Sequence, residues 1–232
     1  MTVPARYRLE REFVRDSVEF NRIVNITDAV VAIAITLLVL QLSVPAATGD
    51  NGTTDIGALM RDLWAPMLAF SLSFVIIAFS WFGHQRFVER LLAFDNRMIA
   101  WNFCYLFLLV LVPFVSDLVG NYGDNPAALA IYAALMAALF AIDFPGRLLA
   151  SHQGLLADHY TRQQWWAHGV LALTAPAVFL VSIPILLLAD GAVGGWIWIA
   201  IWPLSAAAGA WVKRVERGGD PSSARTVPPR TD

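Results

Sequence analysis

The sequence predicts an all-α membrane protein with six transmembrane helices, and three observations support this fold class. First, 58% of the 232 residues are hydrophobic and the mean hydropathy is +0.59, more than a soluble domain of this size requires. Second, apolar runs recur along the chain, and about 20 apolar residues in a helix cross the hydrocarbon layer of a bilayer. Third, the basic residues cluster in alternate connecting segments.

Six apolar segments have the length of a transmembrane helix. They are residues 24–45, 57–83, 97–119, 126–147, 167–189 and 194–212. Several contain or adjoin proline, which neighbouring helices in a membrane can accommodate. The sequence therefore predicts a cytoplasmic segment 1–21, a transmembrane unit 22–212 and a disordered tail 213–232, which is rich in Pro, Ser, Gly and Arg.

The distribution of Lys and Arg orients these predicted helices. All but one of the 16 basic residues lie before span one, between spans two and three, between spans four and five, or after span six. Arg61 is the exception, and the opposite connecting segments carry aspartates instead. By the positive-inside rule, we expect both termini to lie in the cytoplasm.

Composition and motifs argue against several classes of protein. The net charge of −2 argues against a nucleic-acid partner, and the single cysteine, Cys104, can form no internal disulfide. His152, His159 and His168 are too widely spaced to predict a metal site. Phosphate-binding loops, zinc-protease motifs and paired catalytic carboxylates do not occur in the sequence. We therefore expect neither an enzyme nor a bound cofactor.

Span one carries a carboxylate at the start of its apolar run. Asp28 precedes the segment from Ala29 to Leu40, in which Thr36 is the most polar residue. An ionisable group inside a transmembrane segment is costly, so Asp28 is a candidate functional residue. The polar residues that we expect at the same depth are Arg22, Thr27, Trp81, His84 and Asn102.

These polar residues have two interpretations. A buried carboxylate needs hydrogen-bond donors or a cation, and His84, Asn102 and Arg22 can supply them to Asp28. The cluster would then fix the packing of the first three helices. Alternatively, it would form a proton relay or an ion site.

The opposite side of span one carries an aliphatic stripe. Ile26, Ile33 and Leu40 repeat every seven residues and Leu37 interleaves with them, whereas Asp28 lies about 140° from Ile33 around the helix. The pattern alone fits helix packing or lipid contact.

A family resemblance gives this helix a second interpretation. Arg22-xxx-Ile26-Thr27-Asp28, followed by the apolar run and Pro45, resembles the first helix of the bacterial transmembrane protein 175 family. These are potassium-selective channels unrelated to the usual tetrameric potassium channels. The family pattern is Arg-xxx-Phe-Ser-Asp, so Ile26 and Thr27 keep the chemistry but not the residues. The resemblance continues in order through Trp81-xx-His84-Gln85, Asn102, Pro113-Phe114 and Gly120-x-Tyr122.

The resemblance implies a homotetramer in a bacterial inner membrane that conducts potassium ions passively through a central pore lined by span one. No metal is implied beyond transient potassium in the pore. The pore-constriction candidates are then Ile33, Thr36, Leu37 and Leu40. The helix-positioning candidates are Arg22, Thr27, Asp28, Trp81, His84 and Asn102. The Thr36 hydroxyl would face the ion path, or it would bond back to the carbonyl of Ala32.

Two other functions fit the same residues. A proton-coupled transporter would exchange protons between Asp28 and His84. A non-conducting membrane scaffold would use the aliphatic stripe only to pack helices.

Overall fold

The computed structural model describes residues 13–43, 56–157, 161–188 and 197–218, and most of them are helical. Residues 1–12 of the predicted cytoplasmic segment lie outside the described residues. The same holds for residues 219–232 of the predicted tail.

Among the described residues, five helices are long and apolar enough to cross a membrane. Spans one to five are Val18–Gln41, Trp64–Val88, Asn96–Tyr122, Pro126–His152 and Arg162–Leu188. The prediction of a multi-span helical membrane protein is therefore confirmed. Span one begins six residues earlier than predicted because Ser17 caps it, accepting a hydrogen bond from the Phe20 amide at 3.1 Å. Span two begins later than predicted and follows a separate short helix, Ile56–Asp62.

Three of the spans change helical geometry along their length. Span one consists of an α-helix, Val18–Leu37, that tightens into a 3₁₀ turn at Leu38–Gln41. Span three divides into Asn96–Val110 and Val112–Tyr122, where Pro113 lies in the first turn of the second helix. Span four divides into Pro126–Ala141 and Asp143–His152. Proline has no N–H to donate, which accounts for the break in span three.

The region of the predicted sixth span is a 3₁₀ turn at Ile197–Ala200 followed by the helix Ile201–Gly218. This 201–218 helix packs against span five. Its last two turns carry four charged residues. This charge content distinguishes the helix from the five strongly apolar spans. It includes residues 213–218, which the sequence assigned to the tail.

A short antiparallel sheet was not predicted from the sequence. Phe13–Val14 pairs with Ala93–Phe94, with Phe13 opposite Phe94. The Arg15 amide donates to the Leu92 carbonyl at 2.8 Å, and the Leu92 amide donates to the Leu155 carbonyl at 2.8 Å. These bonds join the segment before span one to the connections that follow spans two and four.

Two buried clusters hold the helices together. The larger runs along spans three and four and includes the fully buried Tyr105, Leu109 and Met136. The smaller lies at the ends of spans two and three beside the sheet, around Phe87 and Met98. Span one packs against span three, so the larger cluster supports one side of span one.

Candidate functional site

Span one has one packed face and one exposed face. The packed face is formed by Phe20, Thr27, Val31, Ala34 and Leu38. On the other side, Ile33, Leu37 and Leu40 are 57%, 43% and 73% exposed. Residues three and four apart share one face of a helix, which explains this division. The aliphatic stripe is thus the side of span one that the rest of the described chain leaves uncovered.

Asp28 is held by span two. The indole N–H of Trp81 donates to Asp28 Oδ1 at 2.8 Å, and the Gln85 side-chain amide donates to the same oxygen. Trp81 and Gln85 are four residues apart and therefore lie on the same face of span two. The Asp28 carboxylate receives both of these donors from one neighbouring helix.

Thr27, the residue before Asp28, contacts a different helix. The Asn102 side-chain amide donates to Thr27 Oγ1 at 2.9 Å, and the Thr27 hydroxyl donates to the Ile23 carbonyl at 3.0 Å. Thr27 and Asn102 are 3% and 2% exposed, so this polar contact between spans one and three is buried. Consecutive helical residues point about 100° apart, and this angle allows Thr27 and Asp28 to reach different partners.

His84 is enclosed by aromatic rings. Its ring stacks on Tyr105 with centroids 4.0 Å apart and on Trp101 at 5.2 Å. Neither ring nitrogen has a hydrogen-bond partner of acceptable geometry among the described residues, although Asn102 interacts with the side chain. His84 thus joins spans two and three through ring packing.

Trp101 is fixed in turn by span four. Its indole N–H donates to the Ile142 carbonyl at 2.8 Å. Its ring lies so close to Gly146 that a Cβ on that residue would be 2.2 Å from Trp101 Cε2. Glycine at position 146 is therefore a requirement of the packing between spans three and four.

Asp28, His84 and Asn102 do not form one hydrogen-bonded cluster. Asp28 receives its described donors from Trp81 and Gln85, whereas Asn102 donates to Thr27. Arg22 is exposed at the start of span one. The polar residues thus form two separate contacts, one from span one to span two and one from span one to span three.

The last residue of span one is a polar anchor that the sequence analysis missed. The Gln41 side-chain amide donates to the Pro113 carbonyl, at the break between the two helices of span three. The signals for this contact are a polar side chain that closes an apolar run and a proline inside a predicted span. Gln85 was missed as a partner of Asp28, although it lies one turn after Trp81.

Two pore-constriction candidates have specific local geometry. The Thr36 hydroxyl donates to the Ile33 carbonyl at 2.8 Å, three residues back and not to Ala32. Leu40 belongs to the 3₁₀ turn, in which residues three apart are eclipsed. Leu40 therefore stays in line with Leu37, and both side chains are exposed.

The part of the chain that the structure describes contains no group of three or more His, Cys, Asp or Glu residues that could hold a metal ion. His152 is exposed at the end of span four. His168 lies in span five, and His159 is outside the described residues.

Comparisons with known proteins identify relatives among potassium channels. The family model described as "Endosomal/lysosomal potassium channel TMEM175" matches residues 22–113, which include the polar contacts of span one. A potassium channel of Chamaesiphon minutus is 34% identical over 170 residues, which are 71% of this chain and 82% of the relative. A potassium channel of Streptomyces collinus is 29% identical over 125 residues, 52% of this chain and 59% of the relative.

Solved structures show the same fold. The crystal structure of a lysosomal potassium-selective channel TMEM175 homolog from Chamaesiphon minutus superposes with a TM-score of 0.69 and 25% identity. It covers 83% of this chain and 99% of the relative. A variant of the potassium channel MtTMEM175, in complex with a nanobody fusion, has a TM-score of 0.57 at 20% identity. It covers 89% of this chain and 98% of that one. The chain therefore belongs to the TMEM175 family.

Proposed function

We propose that this protein is a potassium-selective channel that conducts passively through a central pore lined by span one. The observation that carries the proposal is the exposed aliphatic stripe on a helix whose other face is packed. The names of the relatives as potassium channels support the choice of ion. Family membership also argues against an enzyme.

A pore of this kind requires several copies of the chain. One helix cannot enclose an aqueous path, so span-one helices from symmetry-related subunits would surround a common axis. Ile33, Leu37 and Leu40 are exposed in the isolated chain and would face that axis. We propose a homotetramer, the assembly that the family resemblance implies.

The constriction would act through the size and the chemistry of its side chains. Rings of Ile33, Leu37 and Leu40 would exclude water when narrow and would pass a dehydrating ion when dilated. The Thr36 hydroxyl donates a hydrogen bond to the Ile33 carbonyl. The lone pairs of its oxygen therefore remain available to a cation. Thr36 would supply a side-chain oxygen at the depth of the constriction.

The polar contacts would set the position of this helix relative to the axis. Thr27 and Asp28 bind spans three and two near the middle of span one, and Gln41 binds span three at its end. Anchors at two heights resist sliding and rotation, so the stripe keeps its orientation. Arg22, Trp81 and His84 complete the proposed positioning residues.

The proposed topology follows the charge distribution of the sequence. Residues 194–212 would form a sixth span, and both termini would lie in the cytoplasm of a bacterium, with the six spans in its inner membrane. Residues 1–21 and 213–232 would flank the transmembrane unit. The spans beyond the first would separate the pore helix from lipid.

The contacts favour the positioning role over proton exchange. The described donors to Asp28 are an indole and an amide, and neither group loses a proton near neutral pH. His84 is packed between rings at 1% exposure. A proton path between Asp28 and His84 therefore has no support in the contacts of either residue.

Ion flux from liposomes tests the proposal. Purified protein would be reconstituted, and efflux would be measured under a potassium gradient and then a sodium gradient. We expect faster potassium than sodium flux and a changed ratio of the two in Leu37→Ala. The matched control is Leu180→Ala on span five, since Leu180 is 55% exposed and lies away from the proposed pore.

The outcomes separate the three functions. Flux at the level of empty liposomes, from correctly assembled protein, would overturn the channel in favour of the scaffold. Flux that requires a proton gradient would overturn it in favour of the transporter. Equal effects of Leu37→Ala and Leu180→Ala would contradict the location of the pore.

A further inference from the structure

A cavity of about 490 Å³ lies between span two, span four, span five and the 201–218 helix. Most of its wall is apolar, with Phe79 from span two, Phe140 from span four and Phe179 from span five. Trp198, from the 3₁₀ turn, and Ile201, from the start of the 201–218 helix, also line the cavity. The cavity shares no residue with the aliphatic stripe or with the partners of Asp28 and Thr27.

One end of this cavity is cationic. The cationic side chains are Arg86 at the end of span two, Arg90 in the turn that follows it, Arg147 in span four and Lys213 in the 201–218 helix. Asp143 is the acidic residue in the lining. Among the residues that line the cavity, this end therefore has four cationic side chains and one carboxylate, without counting His168.

Two of the arginines are positioned by aromatic rings. The Arg86 guanidinium carbon lies 4.2 Å from the centroid of the Phe82 ring, and that of Arg147 lies 5.3 Å from the Phe87 ring. Asp143 interacts electrostatically with Arg147. The ring faces attract the guanidinium groups, and this attraction favours the positions that the two arginines have beside Phe82 and Phe87.

We propose that this cavity binds an anionic phospholipid, with an acyl chain against the apolar wall and the phosphate at the cationic end. Charge complementarity carries the assignment, since basic pockets between transmembrane helices on the cytoplasmic side suit anionic headgroups. The cationic end lies on the side that the positive-inside rule assigns to the cytoplasm. The lipid would therefore come from the cytoplasmic leaflet.

The apolar wall and the cationic end of the cavity together favour a lipid over a soluble anion. A free phosphate would use only the basic end and would gain nothing from Phe79, Phe140 or Phe179. A neutral lipid would use only the wall, and its headgroup would bring no net negative charge to the cationic end. An anionic phospholipid satisfies both regions, because apolar burial and charge pairing each favour it.

Native mass spectrometry of the assembled protein in detergent tests this assignment. Palmitoyl-oleoyl phosphatidylglycerol and phosphatidylcholine would be added in equal amounts, and lipid-bound species would be counted. We expect preferential binding of phosphatidylglycerol that glycerol phosphate does not displace. In the double variant Arg86→Gln with Lys213→Gln, we expect about 25-fold weaker binding, since each of the two cations near a lipid headgroup contributes about fivefold.

The matched control is the double variant Arg97→Gln with Arg214→Gln. All four substituted residues are exposed, but Arg97 and Arg214 do not line the cavity. We expect the control to bind phosphatidylglycerol as the unmodified protein does. Ala172→Phe, which adds volume to the wall, provides a second variant and should also weaken lipid binding.

Three results would overturn the proposal. The first is equal binding of the two lipids. The second is equal loss of phosphatidylglycerol from the two double variants. The third is an absence of bound lipid, which would occur if a second copy of the chain or the 219–232 segment filled the cavity. The measurement reads lipid binding and not ion flux, so its outcome is independent of the proposed channel function.

Discussion

Trp81 donates its indole N–H to Asp28 Oδ1 over 2.8 Å and so joins span two to span one. Gln85, one turn further along span two, donates to the same oxygen. Because Trp81 and Gln85 share a helix face, the two bonds fix both the height and the rotation of span one. This contact turns the aliphatic stripe away from span two.

Removal of the Asp28 carboxylate should destabilise the protein. Asp28→Ala leaves the Trp81 and Gln85 donors without their acceptor, and a lost hydrogen bond of this kind costs about 1–3 kcal/mol. Asp28→Asn keeps one acceptor oxygen, so its cost should be smaller. The free energy of unfolding in mixed micelles measures both variants. If Asp28→Asn abolished transport with unchanged stability, Asp28 would have a chemical role and the positioning account would be wrong.

Thr27 and Asn102 should show energetic coupling. Thr27→Val removes the hydroxyl at nearly constant volume, and Asn102→Leu removes its donor. A double-mutant cycle should give a coupling of about 0.5–2 kcal/mol, as for polar contacts between transmembrane helices. Thr174→Val is the matched control for the threonine substitution, since Thr174 is only partly buried and donates only to the Val170 carbonyl among its described bonds. Additive effects of Thr27→Val and Asn102→Leu would contradict the contact.

A methyl group at position 146 should disturb the packing of span four on span three. In Gly146→Ala the new Cβ would meet the Trp101 ring, which is 7% exposed and held by its bond to the Ile142 carbonyl. Overpacking of this kind costs about 1–3 kcal/mol. Gly209→Ala is the control, because a Cβ at Gly209 meets nothing within 4 Å. A Gly146→Ala variant as stable as Gly209→Ala would show that Trp101 can move aside.

Hydropathy was sufficient to predict most of the architecture. Five of the predicted spans are found because a helix must pair its own backbone groups in lipid, which makes long apolar runs a direct signal. The helix boundaries were harder to predict, because the additional turns at the start of span one depend on the cap at Ser17. The strand pairing of Phe13 with Phe94 was not predictable, since two-residue strands leave no periodic pattern.

The depth of the candidate site residues along their helices could be predicted from the sequence, but their hydrogen-bond partners could not. Asp28, Trp81 and Asn102 lie near one level, as the order of the spans implied. Which donor meets which acceptor depends on how each helix is rotated, and hydropathy does not determine that rotation. For this reason Gln85 and Gln41 were missed as partners in contacts with Asp28 and with the Pro113 carbonyl.

The central claim is that the exposed stripe of span one lines the ion path, and thiol modification at Leu40 tests it most directly. Leu40→Cys would be made in a Cys104→Ala background, because Cys104 is itself exposed. A charged, membrane-impermeant methanethiosulfonate reagent would be added during potassium efflux, and mass spectrometry would measure labelling. Phe107→Cys is the control, since Phe107 is 63% exposed on span three and lies outside the proposed pore.

We predict that Leu40→Cys is labelled and that labelling reduces potassium flux, while the Phe107→Cys control keeps its flux. Labelling of Leu40→Cys without a change in flux, or no labelling from the aqueous phase in a conducting protein, would contradict a pore lined by span one.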